Sequence, residues 1–354
     1  MKHLLLIVSL FNFLFCSAQF TSIPDPNFED YLEQNGMGDG VPNNSLVLTA
    51  NIENVIALPV DSKNIQDLTG IEDFTNLQIL NCSFNDLTFL DVSQNMNLWL
   101  LNCQTNNLAE LLLPPSEALN NLNCTENSLT TLDISLNPGL VQLYCSYNSL
   151  TALSLVNHPD IEIIVASYNN ISGVFDTSQN PVLNSLEISH NGISGIDLSL
   201  NPLITGFNAG DNSLESLDTR NGNNENIGNF NASGTHGILT CILVDDANAS
   251  YLDNWLKDIE TTFVNNQQEC DALGLTDIKI QDLTVYPNPA NETFVINLPY
   301  TASYNLFDIK SKRLQCGQLG VGNNKISVLG FDAGIYFLKI NTDNEVYTKK
   351  IVVY

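Results

Sequence analysis

Cys82, Cys103, Cys124 and Cys145 stand 21 residues apart, three steps in succession. A fixed period of that length admits few folds. Each copy is one turn of a stacked coil that cannot bury its apolar side alone. Aligned on the cysteines, Leu77-x-x-Leu80-x-Cys82-x-x-Asn85-x-Leu87 is followed by Leu98-x-x-Leu101-x-Cys103-x-x-Asn106-x-Leu108. Further copies begin at Leu119, Leu140, Ile161, Leu183 and Ile204, and a degenerate first copy at Val55 completes eight units. Alternation of Leu80 with Cys82 marks one face of a short strand, so stacking predicts a parallel sheet over one continuous apolar column. The column Asn85, Asn106, Asn127, Asn148, Asn169, Asn191 and Asn212 falls where the chain turns inward. There an amide can satisfy buried backbone groups of its own and the neighbouring coil. A second motif, Leu90-Asp91-Val92-Ser93, recurs at Leu132–Ser135 and Ile196–Ser199 and is assigned to the opposite wall.

This pattern resembles the leucine-rich repeat family, with Cys in place of the third Leu, over residues 55–218. The resemblance implies a repeat solenoid with a parallel β-sheet on its concave face and a mostly irregular or short-strand convex face. The cysteine column invites a metal or redox reading, but the close C-x-x-C pairs of thiolate sites are missing. The equivalent slots hold Val60, Ala166, Ile188 and Ala209, so the cysteines read as small core residues with free thiols and no metal.

Open solenoid ends need caps. Asp25-Pro26 starts a helix whose face carries Phe28, Tyr31 and Leu32 and which Gly36 can end. At the other end Ser250-x-x-Asp253 predicts a capping box for a helix bearing Leu252, Trp255 and Ile259. Cys241 and Cys270 flank that helix. Residues 1–18, a short basic start with an apolar run ending in Ser17-Ala18, read as a secretory signal peptide too short to span a membrane. Export permits oxidation, so Cys241 and Cys270 are expected to form a disulfide.

The charge divides the chain. The net charge is −27, yet residues 19–276 carry three basic residues against 32 acids, while residues 277–354 carry eight against seven. So negative a field disfavours nucleic acid and anionic membrane surfaces as partners. After Gly274 the repeat ends, and strand-like runs at 293–298, 303–308, 325–328, 335–341 and 346–353 with Gly/Asn turns predict a small all-β sandwich. Tyr286-Pro287-Asn288-Pro289, Phe307-Asp308, Gly334-Ile335-Tyr336 and Lys349-Lys350 follow in an order that resembles the type A C-terminal sorting domain of the type IX secretion system. The resemblance implies that the outer-membrane translocon reads this domain, that it is often removed on passage, and that the cargo is released or held at the cell surface. Cys316 departs from that pattern. The expected organisation is a signal peptide at 1–18, an N-terminal cap at 19–54, the solenoid at 55–224, a C-terminal cap at 225–275, a linker at 276–282 that holds the cleavage site, and the sorting domain at 283–354.

No G-x-S-x-G, H-E-x-x-H, Walker or G-x-G-x-x-G pattern occurs, and Asp245-Asp246 reads as part of the cap rather than a catalytic pair. Of the histidines outside the signal peptide, His158, His190 and His236, none sits in a catalytic motif. The chain is therefore expected to be a non-enzymatic, cofactor-free monomer that recognises an extracellular protein or glycan. The three outward slots beside each strand run Asn81, Asn102, Asn123, Tyr144, Val165, Glu187, Asn208; then Ser83 to Gly210; then Phe84, Thr105, Glu126, Tyr147, Tyr168, His190, Asp211. Phe84, Asn102, Tyr144, Tyr147, Tyr168 and His190 are the expected contact residues, since amphipathic aromatics dominate binding hot spots. Asn and Ser columns can equally satisfy one another across strands. A cation-linked surface-layer protein and, further off, a hydrolase are the alternatives.

Overall fold

The computed structural model describes residues 19–235, 237–274, 284–298, 301–310, 312–341 and 346–354. The stretch expected to be a signal peptide, His236, the expected linker with its cleavage site, and Leu283 lie outside them. Contacts divide the chain into two compact units between Cys270 and Asp271.

The first unit is a parallel solenoid. Its main sheet has ten strands, beginning Ala57–Pro59, Ile79–Asn81, Leu100–Asn102, Asn121–Asn123 and Gln142–Tyr144 and continuing to Leu256–Lys257. The register stacks the same slot in every coil: Leu58 on Leu80, Leu101, Leu122, Leu143, Ile164, Leu186, Phe207 and Phe230. These side chains and the Cys slots are buried in one continuous core. Ten coils exceed the eight expected, because the sheet continues through Asn229–Ala232 and Leu256–Lys257, inside the stretch assigned to the C-terminal cap. The ninth coil keeps the apolar slots as Ile227, Phe230 and Ala232 but has Thr235 where the Asn belongs, which conceals it in the sequence.

What holds one coil to the next is the inner Asn column. Asn106 Nδ2 donates to Cys82 O of the preceding coil (3.0 Å) and to Cys103 O of its own (3.1 Å), while its Oδ1 accepts from Leu87 N (3.0 Å). Asn85, Asn127, Asn148, Asn169, Asn191 and Asn212 repeat this pattern. A second buried column lies towards the opposite wall. Asn95, Asn137, Asn180 and Asn201 donate to carbonyls of the coil before, and His158 fills the same slot with Nε2 3.1 Å from Ile134 O. The opposite wall has short parallel strands, Phe89–Asp91 with Glu110–Leu112, and a five-stranded set from Ser172–Phe175 to Thr262–Val264. The Asp-x-Ser motif forms a turn there: Asp91, Asp133 and Asp197 each accept from the backbone N–H two residues on.

At the N-terminal end the helix Pro26–Gln34 is capped by Asp25, whose Oδ1 accepts from Asn27 N and Phe28 N. Phe28 and Leu32 are buried over the first coil. The C-terminal cap differs from expectation. Ser250–Asn254 is one 3-10 turn, followed by the last strand of the sheet, and Ile259 is 91% exposed. Leu252 and Trp255 still close the core, Trp255 stacking on Phe230 at 3.9 Å. Cys241 and Cys270 are disulfide-bonded and tie the helix Gln267–Gly274 to the strand Cys241–Leu243.

The second unit is an antiparallel sandwich of a three-stranded sheet (Val285–Tyr286, Thr293–Leu298, Gly322–Ser327) and a four-stranded one (Arg313–Leu319, Ala302–Asp308, Gly334–Asn341, Val346–Val353). Phe294, Ile296, Leu306, Leu338, Ile340 and Ile351 form its own core. Arg313–Leu319 was not legible as a strand: it lies at the sheet edge and exposes most of its side chains, so it lacks an apolar face.

Replacing Asn106 by Ala orphans the Leu87 amide in the interior and leaves Cys82 O and Cys103 O with one amide donor each, from Asn85 and Asn127. With one group left unsatisfied, the change should cost about 1–3 kcal/mol, read as a fall in the denaturation midpoint. A midpoint within error of wild type would show that the Asn column is not what joins the coils.

Candidate functional site

The strands of the main sheet end in a repeated turn, and that turn builds the candidate site. Phe84, Thr105, Glu126, Tyr147, Tyr168, His190 and Asp211 all have left-handed backbone, with φ between 53° and 57°. Each donates its backbone N–H to a carbonyl of the next coil at 2.8–3.0 Å, for example Tyr147 N to Ser167 O and Tyr168 N to Ser189 O. The coil-to-coil ladder thus imposes the conformation, and the following Asn is thereby aimed inward. Such a position suits Gly or Asn, and a larger side chain there costs on the order of 1 kcal/mol. Gly234 occupies it in the ninth coil at φ 77°. The sequence nonetheless places aromatic and charged side chains in most of these slots, all projecting outward at the pitch of the sheet.

Three of them form a stack. The Tyr147 and Tyr168 rings lie 4.4 Å apart at 9°, and Tyr168 and His190 lie 4.0 Å apart at 17°. His190 Nε2 is 3.3 Å from Asp211 Oδ2. On the other side Thr105 Oγ1 donates to Glu126 Oε2 at 2.9 Å. The stack stays accessible, with Tyr147 51% and Tyr168 41% exposed. Lost hydration, reinforced by Tyr168 and Glu126, raises the Tyr147 phenol above its ordinary value, so it remains a neutral donor at physiological pH.

The structure thus unites Tyr147, Tyr168 and His190. Phe84 shares their slot three coils away and is exposed. Tyr144 and Asn102 lie in the strands themselves, three slots before the turn; Tyr144 Oη reaches Gln142 Oε1 at 3.5 Å, and Asn102 Oδ1 accepts from Gln104 N. Thr105, Glu126 and Asp211 complete the column and were not among the expected contact residues. Their signal was positional, one residue before each inner Asn, because side-chain chemistry alone does not reveal a left-handed turn.

Other candidates are occupied structurally. Asp245 accepts from Gly222 N and Asn224 N, and Asp246 from Asn248 N. Among the described residues no group of three His, Cys, Asp or Glu side chains is placed to hold a metal ion. The cysteine column is buried and its thiols are free. Burial pushes the Cys82 and Cys124 thiols up to about 12 and raises Cys103 and Cys145 well above the ordinary value, so none supplies a thiolate near neutrality.

In the second unit the sorting-type blocks converge. Asn288 Nδ2 donates to Lys350 O and its Oδ1 accepts from Val352 N, both at 2.8 Å, joining the Tyr286–Pro289 segment to the terminal strand. Gly334 pairs with Val353 at the start of its strand. Tyr336 is buried, and its hydroxyl donates to Asp332 O at 2.7 Å. Lys349 is half-buried opposite Leu338, while Lys350, Tyr286, Pro287 and Pro289 are exposed.

The repeat register, the inner Asn column and the separate sandwich define a leucine-rich-repeat solenoid followed by a small β domain. Residues 284–354 match the sequence model described as "Secretion system C-terminal sorting domain", which makes the second unit the sorting domain of a protein exported to the cell surface or beyond by the type IX system. No curated protein matches the chain. Among solved structures it is similar to the functional domain of InlJ from Listeria monocytogenes, which includes a cysteine ladder (18% identity, 96% of this chain and 99% of that one, TM-score 0.45). It is similar also to internalin C2 of the same species (19%, 70% and 99%, 0.42) and to YopM from Yersinia enterocolitica (24%, 60% and 42%, 0.44).

Among the described residues the five free cysteines divide by accessibility, four in the solenoid core and Cys316 exposed on the sorting domain. A chain freed of residues 1–18 should therefore react with a thiol reagent at one site when native and at all five once unfolded. Rapid native modification of Cys103 would contradict the closed core.

Proposed function

We propose that the chain is an exported recognition protein, not an enzyme, and that the turn column of its main sheet captures an extracellular polypeptide or glycan. The observation that carries this reading is the aromatic stack on left-handed backbone. Fold stability alone favours small residues there, so the rings are accounted for by what they touch outside the coil.

The geometry favours a polypeptide. Sugars stack on the open faces of aromatic rings, but both faces of Tyr168 are covered, by Tyr147 and His190. What remains is the outer face of Tyr147 beside a ridge of ring edges, phenolic oxygens and an imidazole, flanked by Glu126 and Asp211, which suits a protein contact of the hot-spot type. The 32 acids of residues 19–276, against three basic residues, favour a partner with a basic surface and accelerate its approach at low salt.

Replacing Tyr147 and Tyr168 by Asn removes the rings while leaving side chains that tolerate positive φ. On an array of extracellular proteins and glycans, the mature chain should retain a basic protein, and the double variant should lose at least ~10-fold in affinity, the scale of one strong hot spot. Undiminished capture by a folded double variant would refute the ladder as the contact; capture of neutral glycans alone would refute the polypeptide reading.

A further inference from the structure

The sorting domain presents two outer faces of different character. On the three-stranded sheet, the pairs Thr293–Ser327 and Asn297–Asn323 are polar and flank one rung of Tyr286, Val295 and Lys325. On the four-stranded sheet one rung crosses all four strands as Arg313, Phe307, Phe337 and Lys350. Beside it Ile335 pairs with Val352, and on the other side the rung Cys316, Asn305, Lys339 and Thr348 carries a third cation.

Ile335 and Phe337 are 40% and 39% exposed although they belong to an inner strand of a sheet whose other face already fills the core. The apolar strip is thus bracketed by Arg313, Lys339 and Lys350. No carboxylate occupies a strand position on this face among the described residues. Arg313 Nη1 reaches Asn305 Oδ1 at 3.4 Å, which keeps the guanidinium over the sheet. Asp308, at the strand end, is engaged with the backbone N–H groups of Lys310 and Lys312. A cross-strand aromatic pair stabilises a sheet by roughly 0.2–1 kcal/mol, but that accounts for neither the flanking cations nor the adjoining Ile335–Val352 pair.

We infer that this face is the surface by which the sorting domain docks onto the secretion apparatus, and that the complementary surface is an apolar patch rimmed by carboxylates. The domain's match to a sorting family supplies the class of partner, and the charge pattern supplies its chemistry. Lys350 belongs to the contact directly. Asn288, which clamps the backbone at Lys350 and Val352, positions the terminal strand that carries it. The exposed apolar strip also explains why the cations matter: like charges on the wrong partner deter non-specific association, and the solenoid's excess of acids lies outside this domain.

The test uses the full chain in a bacterium with a type IX system, quantifying surface and medium forms against the periplasmic pool. Phe337→Ser with Phe307→Ser, and separately Lys350→Glu with Arg313→Glu, should each reduce export at least ~10-fold. Lys325→Glu on the opposite outer face should export normally. Thermal melting of the purified chains identifies any variant that fails to fold, and the charge-reversal pair, which leaves the core untouched, then decides. Normal export of the folded variants, or equal loss with Lys325→Glu, overturns the assignment. So does a dimer of the purified chain that Phe337→Ser dissolves, because the face would then belong to a second copy.

Discussion

An amide side chain that serves two coils at once is the interaction on which the solenoid depends. Each turn of the chain leaves backbone carbonyls and an amide pointing into an interior otherwise lined by Leu, Ile, Phe and Cys, where unpaired polar groups are costly. Asn has one acceptor and two donor hydrogens on a short stem, and it meets those demands in the column from Asn85 to Asn212. The amide fixes the distance between coils, and that distance sets everything outside. The Tyr147–Tyr168–His190 stack has ring separations of 4.0–4.4 Å because its backbone anchors are spaced by hydrogen-bonded parallel strands. The exposed ladder is the outward image of the buried one.

The cysteine column follows from the same constraint. The slot between the strand Leu and the inner Asn admits a small apolar group, and Val60, Ala166, Ile188 and Ala209 fill it in other coils. Cys82 and Cys103 add weak S–H contacts to Asn102 O and Asn123 O of the following coil, at 3.6 and 3.5 Å. Their thiols remain protonated through the same desolvation that makes them good core residues. One disulfide, at the end of the stack, is where a covalent link is useful: it closes the segment between Cys241 and Cys270, a stretch with no inner Asn.

The sequence discloses what repeats and conceals what does not. Leu80, Cys82 and Asn85 recur in register, so strand, core slot and inward turn were all legible, as were the Asp25 cap and the two β domains' separation by charge. The ninth coil was hidden because Thr235 replaces Asn; its Oγ1 donates to Asp258 instead. The helix expected to follow Ser250 gave way because the tenth strand competes for Leu256 and Lys257, and tertiary pairing outweighs a local capping signal. The second buried column keeps its spacing, Asn95, Asn137 and His158 each standing 13 residues after a cysteine, but Ser116 and His158 break the run of Asn that would have marked it. Left-handed backbone at Tyr147 and Tyr168 was equally unreadable: neither residue type favours it, and only the hydrogen bonds of the adjoining coil impose it.

The two units divide the work by where they tolerate exposed apolar surface. In the solenoid, a ring on the turn column is held from behind by backbone that cannot relax, so the side chain is ordered before any partner arrives and little entropy is lost on contact. In the sandwich, Phe337 and Ile335 stand on a sheet that is already fully paired, with Arg313, Lys339 and Lys350 around them. A surface of that kind is best suited to a short engagement: the charges select the partner, and the small apolar strip limits the residence time. The strongly acidic solenoid and the nearly neutral sorting domain, eight basic residues against seven acids, therefore present different fields to a partner. Had the −29 imbalance been spread over both units, the sorting domain's face would have lost the electrostatic contrast on which the inferred docking rests.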